Sequence, residues 1–533
     1  MKKVLPSLIV RSNKFRVLKN INSLLYQCGL DFIVRLLKSI PQIRSIYLRR
    51  SMVSKNWIPG SSDIDLLLII KNMKTKEELL FLKSFWGFYS KLKKFFPFLG
   101  EAGICNEEEL NNWYKLGGVR AKEMHEWKLL YGDEIRKEKY IFNPLMLKIE
   151  AIWEALAVQY SDFISNLIFY QKSLKNTYLR PYFKFFIDIL RYGCYSSNIT
   201  QKIYDREHFI SEALKHIIGE PREISELFRS VQNSNYFSPK SEEIVLTSFS
   251  KSLKFLDDVC GSLLNNLKKR KISYKLKLSK YSFEPESKEV VINSIKPFVD
   301  KIYDEIKESV ESIILSSSGC RNHRYLLYVI IKNGLDEKEI QKIFYKIKHA
   351  LLINIDSWPF NYFDLSKVPL LYTKNMFKCH LYLPWWSLEY FYLIKHGETL
   401  KGRNLIKNLN RPDDYFVLKG LLSYASFLPI HLKLELQNKQ AFSNRFIDDV
   451  CGDLPAIILA LEKGIIPTTP LEAVWEYKDN YKGFSQWLYS FYETYSKMPI
   501  KELENNLDSI YGEAYPFIRH WLDRMKLFSA ITT

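Results

Sequence analysis

Asp63 and Asp65 stand one residue apart at the head of the apolar run Leu66-Leu67-Leu68-Ile69-Ile70. Side chains two apart on a strand share a face, so a strand here aims both carboxylates the same way, where they could hold the same divalent metal ions. The run behind them is apolar on both faces, which predicts a buried strand. Pro59-Gly60-Ser61-Ser62 predicts a turn immediately before it. Hard oxygen ligands suit Mg2+ or Mn2+, and such ions can neutralise phosphate oxygens during group transfer. Alone, an Asp-x-Asp is also a common solvated pair at a strand start.

The elements needed to position this pair are legible around it. A helix carrying Val17, Leu18, Ile21, Leu24 and Leu25 at helical spacing precedes a strand predicted over Ile43 to Leu48, and the aspartate strand follows. Thr75-Lys76-Glu77-Glu78 has the form of a capping box opening a helix to about Phe95, which Pro97 ends. The next predicted strand is Gly100 to Cys105, and Glu107, Glu108 and Glu109 suit the N-terminus of a further helix. Leu129 to Ile135 closes an α/β segment of about 140 residues.

Leu48-Arg49-Arg50-Ser51, a gap of eleven residues and Asp63-Ile64-Asp65 together resemble the nucleotidyltransferase superfamily that includes DNA polymerase beta. That family's pattern is an apolar residue, Gly, Gly or Ser, a gap of about ten residues and Asp-apolar-Asp. The resemblance implies that Ser51 contacts the β and γ phosphates of a nucleoside triphosphate, with Ser62 and Arg50 beside it, and that Asp63 and Asp65 ligate Mg2+ or Mn2+. It also implies a third carboxylate from a later strand, as metal ligand or as base for the attacking hydroxyl; Glu101 is the candidate. Arg50 departs from the family, which has a glycine there to let the backbone approach the triphosphate. Arg49, Arg50 and Lys55 could bind its charge, or simply be solvated. His125 reads as a helix residue without an assigned role.

The same order of elements recurs 260 to 270 residues later. Tyr325 to Asn333 matches the strand ending Ile70-Lys71-Asn72, Leu335 to Glu339 opens a helix as Thr75 to Glu78 does, and Leu400-Lys401-Gly402 matches Leu130-Tyr131-Gly132. In that register Arg324 falls opposite Asp63, Leu326 opposite Asp65, and Lys367 or Val368 opposite Glu101, so the second copy lacks the carboxylates. The expected architecture is α/β (α+β), with two nucleotidyltransferase-like domains, 1–140 active and 290–411 degenerate, each followed by a mainly helical companion, 141–289 and 412–533.

Composition narrows the setting. With 47% hydrophobic and 26% charged residues the 533-residue chain is globular rather than disordered, and too long for one core. No apolar run in the sequence approaches a bilayer-crossing length, and Lys2 to Arg11 is a poor secretion signal because its apolar core is short and broken by Pro6. These two points make a cytoplasmic protein with no membrane partner the expectation, and seven scattered cysteines without a C-x-x-C spacing argue for reduced thiols and against a zinc site or disulfide framework. The net charge of +19 admits a nucleic-acid partner as readily as a lysine-rich genome. The aromatic and basic stretch Arg180 to Phe186 reads as helix core before it reads as a base-stacking platform.

The expected function is Mg2+-dependent transfer of an NMP from an NTP to a hydroxyl of a small-molecule or protein acceptor. RNA of tRNA type is the alternative acceptor, and a non-catalytic nucleotide-binding or scaffold protein is the rival class.

Overall fold

The structure is a computed structural model. It describes the chain except for residues 1–7, 10–11, 14, 54–56, 58, 61, 117–118, 120–122, 137–143, 170–179, 198–240, 268–275, 284–286, 318–324, 353–357, 359–362, 364–368, 383–387, 437–445 and 529–533. The chain divides into two units, one comprising Met1–Asn143, Leu422–Phe446 and Met498–Thr533, the other Pro144–Leu421 and Ile447–Lys497. The C-terminal stretch expected to form one helical companion is therefore shared between them.

In the first unit, helix α1 (Arg16–Lys38) leads into β1 (Ile43–Arg49), then β2 (Ile64–Ile70), α2 (Thr75–Phe95), β3 (Leu99–Asn106), α3 (Glu107–Leu116) and β4 (Lys128–Gly132). The sheet order is β3-β2-β1-β4; β2 runs antiparallel to β1 and parallel to β3. The apolar run of β2 lies at the sheet centre, buried on both faces because the strand's two-residue period sends alternate side chains to two cores. Leu66, Leu68 and Ile70 join Ile33, Leu37, Phe85 and Tyr89 on one side. Leu67 and Ile69 join Tyr47, Trp113 and Trp127 on the other.

The second unit repeats the arrangement. Helix α4 (Lys288–Ile306) precedes β5 (Val310–Ser317), β6 (Tyr325–Ile331), α5 (Glu337–Leu352), β7 (Leu370–Thr373), α6 (Lys374–His380), α7 (Glu389–His396) and β8 (Glu398–Gly402), with sheet order β7-β6-β5-β8. Register agrees strand by strand. Ile43 pairs with Ile70 and Val310 with Ile331, each followed by a bulge, and Gly132 and Gly402 stand opposite Ser45 and Ser312. Both glycines have positive φ (+83° and +79°), and a Cβ would fall 1.9 Å from the Arg44 carbonyl oxygen or 2.4 Å from that of Glu311. Only glycine meets both demands at once. In the helical part of this unit, Tyr182 and Phe186 of Arg180–Ser196 are buried, so these aromatics are core rather than a platform.

Helix α8 (Asp414–Glu435) corrects the expectation that no apolar run is long enough to cross a membrane, since Asp414–Leu434 meets that length and hydropathy. In the folded chain 72% of its most apolar window is buried, as in a core helix. Its last turn supplies Lys433, which is 3% exposed inside the first unit. The Lys433 ammonium lies 2.7 Å from Glu78 of α2 and 2.6 Å from Glu109 of α3. Arg519, on α9 (Ile500–Phe528), is 3.6 Å from Glu109. Burial opposes ionisation of Glu78, but Lys433 and Arg519 outweigh it and hold the carboxyl below its usual range. Burial likewise opposes the Lys433 charge, and Glu109 with Glu78 raises its pKa in spite of that.

In the second unit Glu389 is 1% exposed and accepts a hydrogen bond from the Tyr328 hydroxyl at 3.1 Å. Burial pushes its carboxyl up to about 7, although hydrogen bonds from Ser316 and Tyr328 favour the ion.

Two outcomes are expected. Removing one partner of a buried ion network strands the others, so Lys433→Met should lower stability by about 3–5 kcal/mol in urea unfolding, and adding Glu78→Gln and Glu109→Gln should recover most of it. No recovery in the triple variant would mean that packing, not charge, is what Lys433 provides. For Glu389 the folded pKa lies above the ordinary 4.5, so its contribution is full below that value and is lost as pH rises through about 7. Relative to Glu389→Gln, the wild type should lose about 3 kcal/mol between acidic and mildly alkaline pH; parallel pH profiles would exclude a buried, neutral carboxyl.

Candidate active site

The candidate site is the edge where β1 ends and β2 and β3 begin. Cα pairing sets Arg49 opposite Asp65, and the chain then makes a short 3-10 turn over Arg50–Met52 that contains Ser51, half-buried. Arg50 has φ +57°, one of two positive-φ residues other than glycine among the described residues. A side chain in the left-handed region costs on the order of 1–2 kcal/mol, so the backbone keeps a glycine-like conformation at the position where the resemblance expects glycine. Strain of this kind persists where the surroundings over-determine it.

Asp63 is exposed just ahead of β2, and Asp65 is 8% exposed within it. One Asp65 oxygen accepts the backbone N–H of Glu101 at 3.2 Å. The two aspartates flank Gly100: a Cβ there would lie 2.5 Å from Asp65 Oδ1 and 3.0 Å from Asp63 Cβ. Gly100 is thus the residue whose missing side chain lets β3 approach both acids. Sequence reasoning finds its strand but misses this role, and it misses Tyr89 altogether. The buried Tyr89 hydroxyl donates to the Gly100 carbonyl at 3.2 Å, and burial first, then the charges of Asp65 and Glu101, raise its pKa well above the usual value.

Glu101 is exposed at the start of β3 and lies at the same edge. Arg50 Nη1 stands between the acids, 3.6 Å from Asp65 Oδ2 and 3.4 Å from Glu101 Oε2. Among the described residues no three His, Cys, Asp or Glu side chains gather as a metal-holding group. The donor chemistry of Asp63 and Asp65 would suit a hard divalent cation, with an Asp65 carboxylate oxygen and the Asp63 Cβ both set close to Gly100. As arranged, the Arg50 guanidinium supplies the positive charge beside both Asp65 and Glu101, so a cation ligated there would have to displace it.

The remaining candidates separate. Ser62 is half-buried in the bend before Asp63. Arg49, open between a phosphate contact and a solvated base, turns into the core instead: it is 8% exposed, with its guanidinium 4.9 Å from the Trp127 ring centre. Its place on β1 sends it to the aromatic face of the sheet, where cation-π contact replaces water. Lys55 lies outside the described residues. His125 is exposed in a 3-10 turn rather than on an α-helix, and its ring is 2.7 Å from the Tyr114 hydroxyl. Glu107–Glu109 do begin a helix, α3.

In the second sheet, Leu326 takes the place of Asp65 and pairs with Ser316, as Asp65 pairs with Arg49. Leu326 is 2% exposed, an apolar side chain buried where the first sheet has a carboxylate. Arg324, Lys367 and Val368 lie outside the described residues.

Comparison with protein-family models, curated proteins and solved structures found no match.

Magnitudes decide the expected effect at position 50. Arg50→Gly relieves about 1–2 kcal/mol of backbone strain, offset by glycine's greater freedom when unfolded and by two partly exposed ion pairs worth about 1 kcal/mol or less each. Stability should therefore change by no more than about 1 kcal/mol in urea unfolding. Gly100→Ala should destabilise by about 1–3 kcal/mol, since Asp65 must move. An Arg50→Gly loss well above that range would assign Arg50 a structural role that its exposure does not suggest.

Proposed function

We propose that the first unit is a nucleotidyltransferase that moves an NMP from a nucleoside triphosphate to a hydroxyl on a small-molecule or protein acceptor. The observation that carries this reading is the close approach of Asp63 and Asp65 to Gly100, beside a turn that keeps a glycine-like backbone at Arg50 and presents Ser51. The resemblance in residue spacing supports it, and so does the pairing that sets Arg49, two residues before Ser51, opposite Asp65.

In this reading Ser51 binds the β and γ phosphates through its hydroxyl and backbone N–H, and Ser62 borders the same space. Asp63 and Asp65 would hold Mg2+ or Mn2+, which would supply neutralisation of phosphate charge. The acceptor oxygen attacks the α-phosphorus, a new P–O bond forms, the bond to the β-phosphate oxygen breaks, and pyrophosphate leaves with the electron pair. Glu101 takes the acceptor proton, for which its exposure at the edge of the site suits it. Arg50 starts as the counter-ion of Asp65 and Glu101 and shifts toward the triphosphate as it arrives.

The position of Arg50 between Asp65 and Glu101 favours a second reading, a nucleotide-binding or scaffold protein without catalysis. Calorimetry with ATP and Mg2+ separates them at the level of binding, and incubation with each labelled NTP and a cell extract tests transfer. Wild type should bind ATP in a Mg2+-dependent way, Asp63→Ala/Asp65→Ala should lose binding by at least about 10-fold, and one fraction of the extract should take up label. Binding without any transfer would favour the scaffold reading, and label in RNA would move the acceptor to nucleic acid. No Mg2+-dependent binding at all would defeat the proposal.

A further inference from the structure

Helix α1 has two apolar faces, and only one is used by the fold. Tyr26, Leu30, Ile33 and Leu37, spaced by four, three and four residues, pack on the sheet. Val17, Leu18, Ile21, Leu24, Leu25 and Phe32 are 40–70% exposed. At 100° per residue these six form a single stripe on the opposite side. A contiguous stripe of this kind, unlike scattered apolar residues, marks a surface that something covers.

Three features say what covers it. The first is charge: the initial thirty residues contain Lys2, Lys3, Arg11, Lys14, Arg16 and Lys19 and no acid, the first being Asp31. Of these, Arg16 and Lys19 are exposed on the described start of α1 and give that end of the helix a positive charge that an anionic surface attracts. The second is shape: residues Phe15 to Ile21 are exposed without interruption, so the helix start is a protruding ridge. A headgroup layer admits a ridge without a matching groove. The third is a set of flanking aromatics and lysines. Phe96 sets its ring 5.7 Å from that of Phe32, the neighbouring Phe95 is 80% exposed, and Lys91 and Lys94 are exposed beside them. Phenylalanine at the acyl boundary with lysine reaching the headgroups is the composition of an interfacial helix.

We infer that α1 is a docking element for an anionic phospholipid surface, lying along it with the Val17–Phe32 stripe inserted at the headgroup boundary and the protein peripheral to the bilayer. This stands apart from the nucleotide chemistry and needs none of the residues assigned to it.

Co-sedimentation of the full chain with phosphatidylcholine vesicles, with and without about one-third phosphatidylserine, tests it. Wild type should pellet with the anionic vesicles and remain in solution with the neutral ones. Arg16→Gln/Lys19→Gln should weaken vesicle affinity by about 10- to 30-fold, and Leu24→Glu/Leu25→Glu by about 10-fold or more. All four positions are exposed, so both variants should keep the wild-type thermal midpoint. The apolar pair is decisive, since a chain of +19 net charge can adhere by charge alone. Anionic-vesicle binding that is indifferent to Leu24→Glu/Leu25→Glu, or absent in wild type, overturns the inference. A wild-type dimer that this variant converts to monomer, without vesicle binding, overturns it in favour of a second copy.

Discussion

The buried ammonium of Lys433 is the interaction on which the first unit depends. Its partners Glu78 and Glu109 sit at the starts of α2 and α3, and Arg519 reaches the same carboxylates from the C-terminal helix. Three separate stretches of chain meet there. Glu109 also accepts the backbone N–H of Asn106 at 3.0 Å, and Asn106 in turn accepts that of Glu109 at 2.8 Å. This reciprocal cap fixes the junction where β3 becomes α3. Since Asn106 pairs with Ile70 at that end of the sheet, the junction also sets how far β3 advances beside β2. At the other end of the same two strands, that advance brings Gly100 and Glu101 alongside Asp65.

Much of this is legible in sequence because it is written in local periodicity. The β2 strand follows from five consecutive apolar residues, the end of α2 from Pro97, the start of α3 from its acidic first turn, and the repeat from matching strand ends. What escapes depends on contacts between distant residues. Gly100 looks like any strand glycine until two aspartates from the neighbouring strand close on it. Arg49 differs from Arg50 by one position, yet the strand's alternation sends the first into a tryptophan cage and the turn leaves the second at the site edge. The apolar residues of α1 announce a helix but not which of its faces the protein covers. Likewise, nothing in residues 422–446 and 498–533 signals that they join the first unit rather than form a body of their own.

The two sheets show which features belong to the scaffold. Gly132 and Gly402 keep the same left-handed backbone against the same carbonyl position, and Ser45 and Ser312 are both fully buried opposite them. Asn106 and Thr373, which pair with Ile70 and Ile331, each cap the helix that follows. Register and capping therefore persist where the charged pair Arg49 and Asp65 is exchanged for Ser316 and Leu326. A strand pair needs its bulge and its glycine to close the sheet; it does not need its acids.

Tyr26 ties α1 to the turn that precedes the aspartate strand. Its ring stacks on Phe98 with centres 4.3 Å apart, and its hydroxyl accepts the Gly60 N–H at 2.6 Å. Gly60, at φ +78°, lies three residues before Asp63, and the neighbouring Pro59 carbonyl takes a hydrogen bond from Asn13 at 2.8 Å. Tyr26 thus pins the helix, and Asn13 the segment just before it, to the threshold of the aspartate strand. A displacement of α1 would carry the residues just ahead of Asp63 with it, so the packing of this helix bears on how the aspartate strand begins.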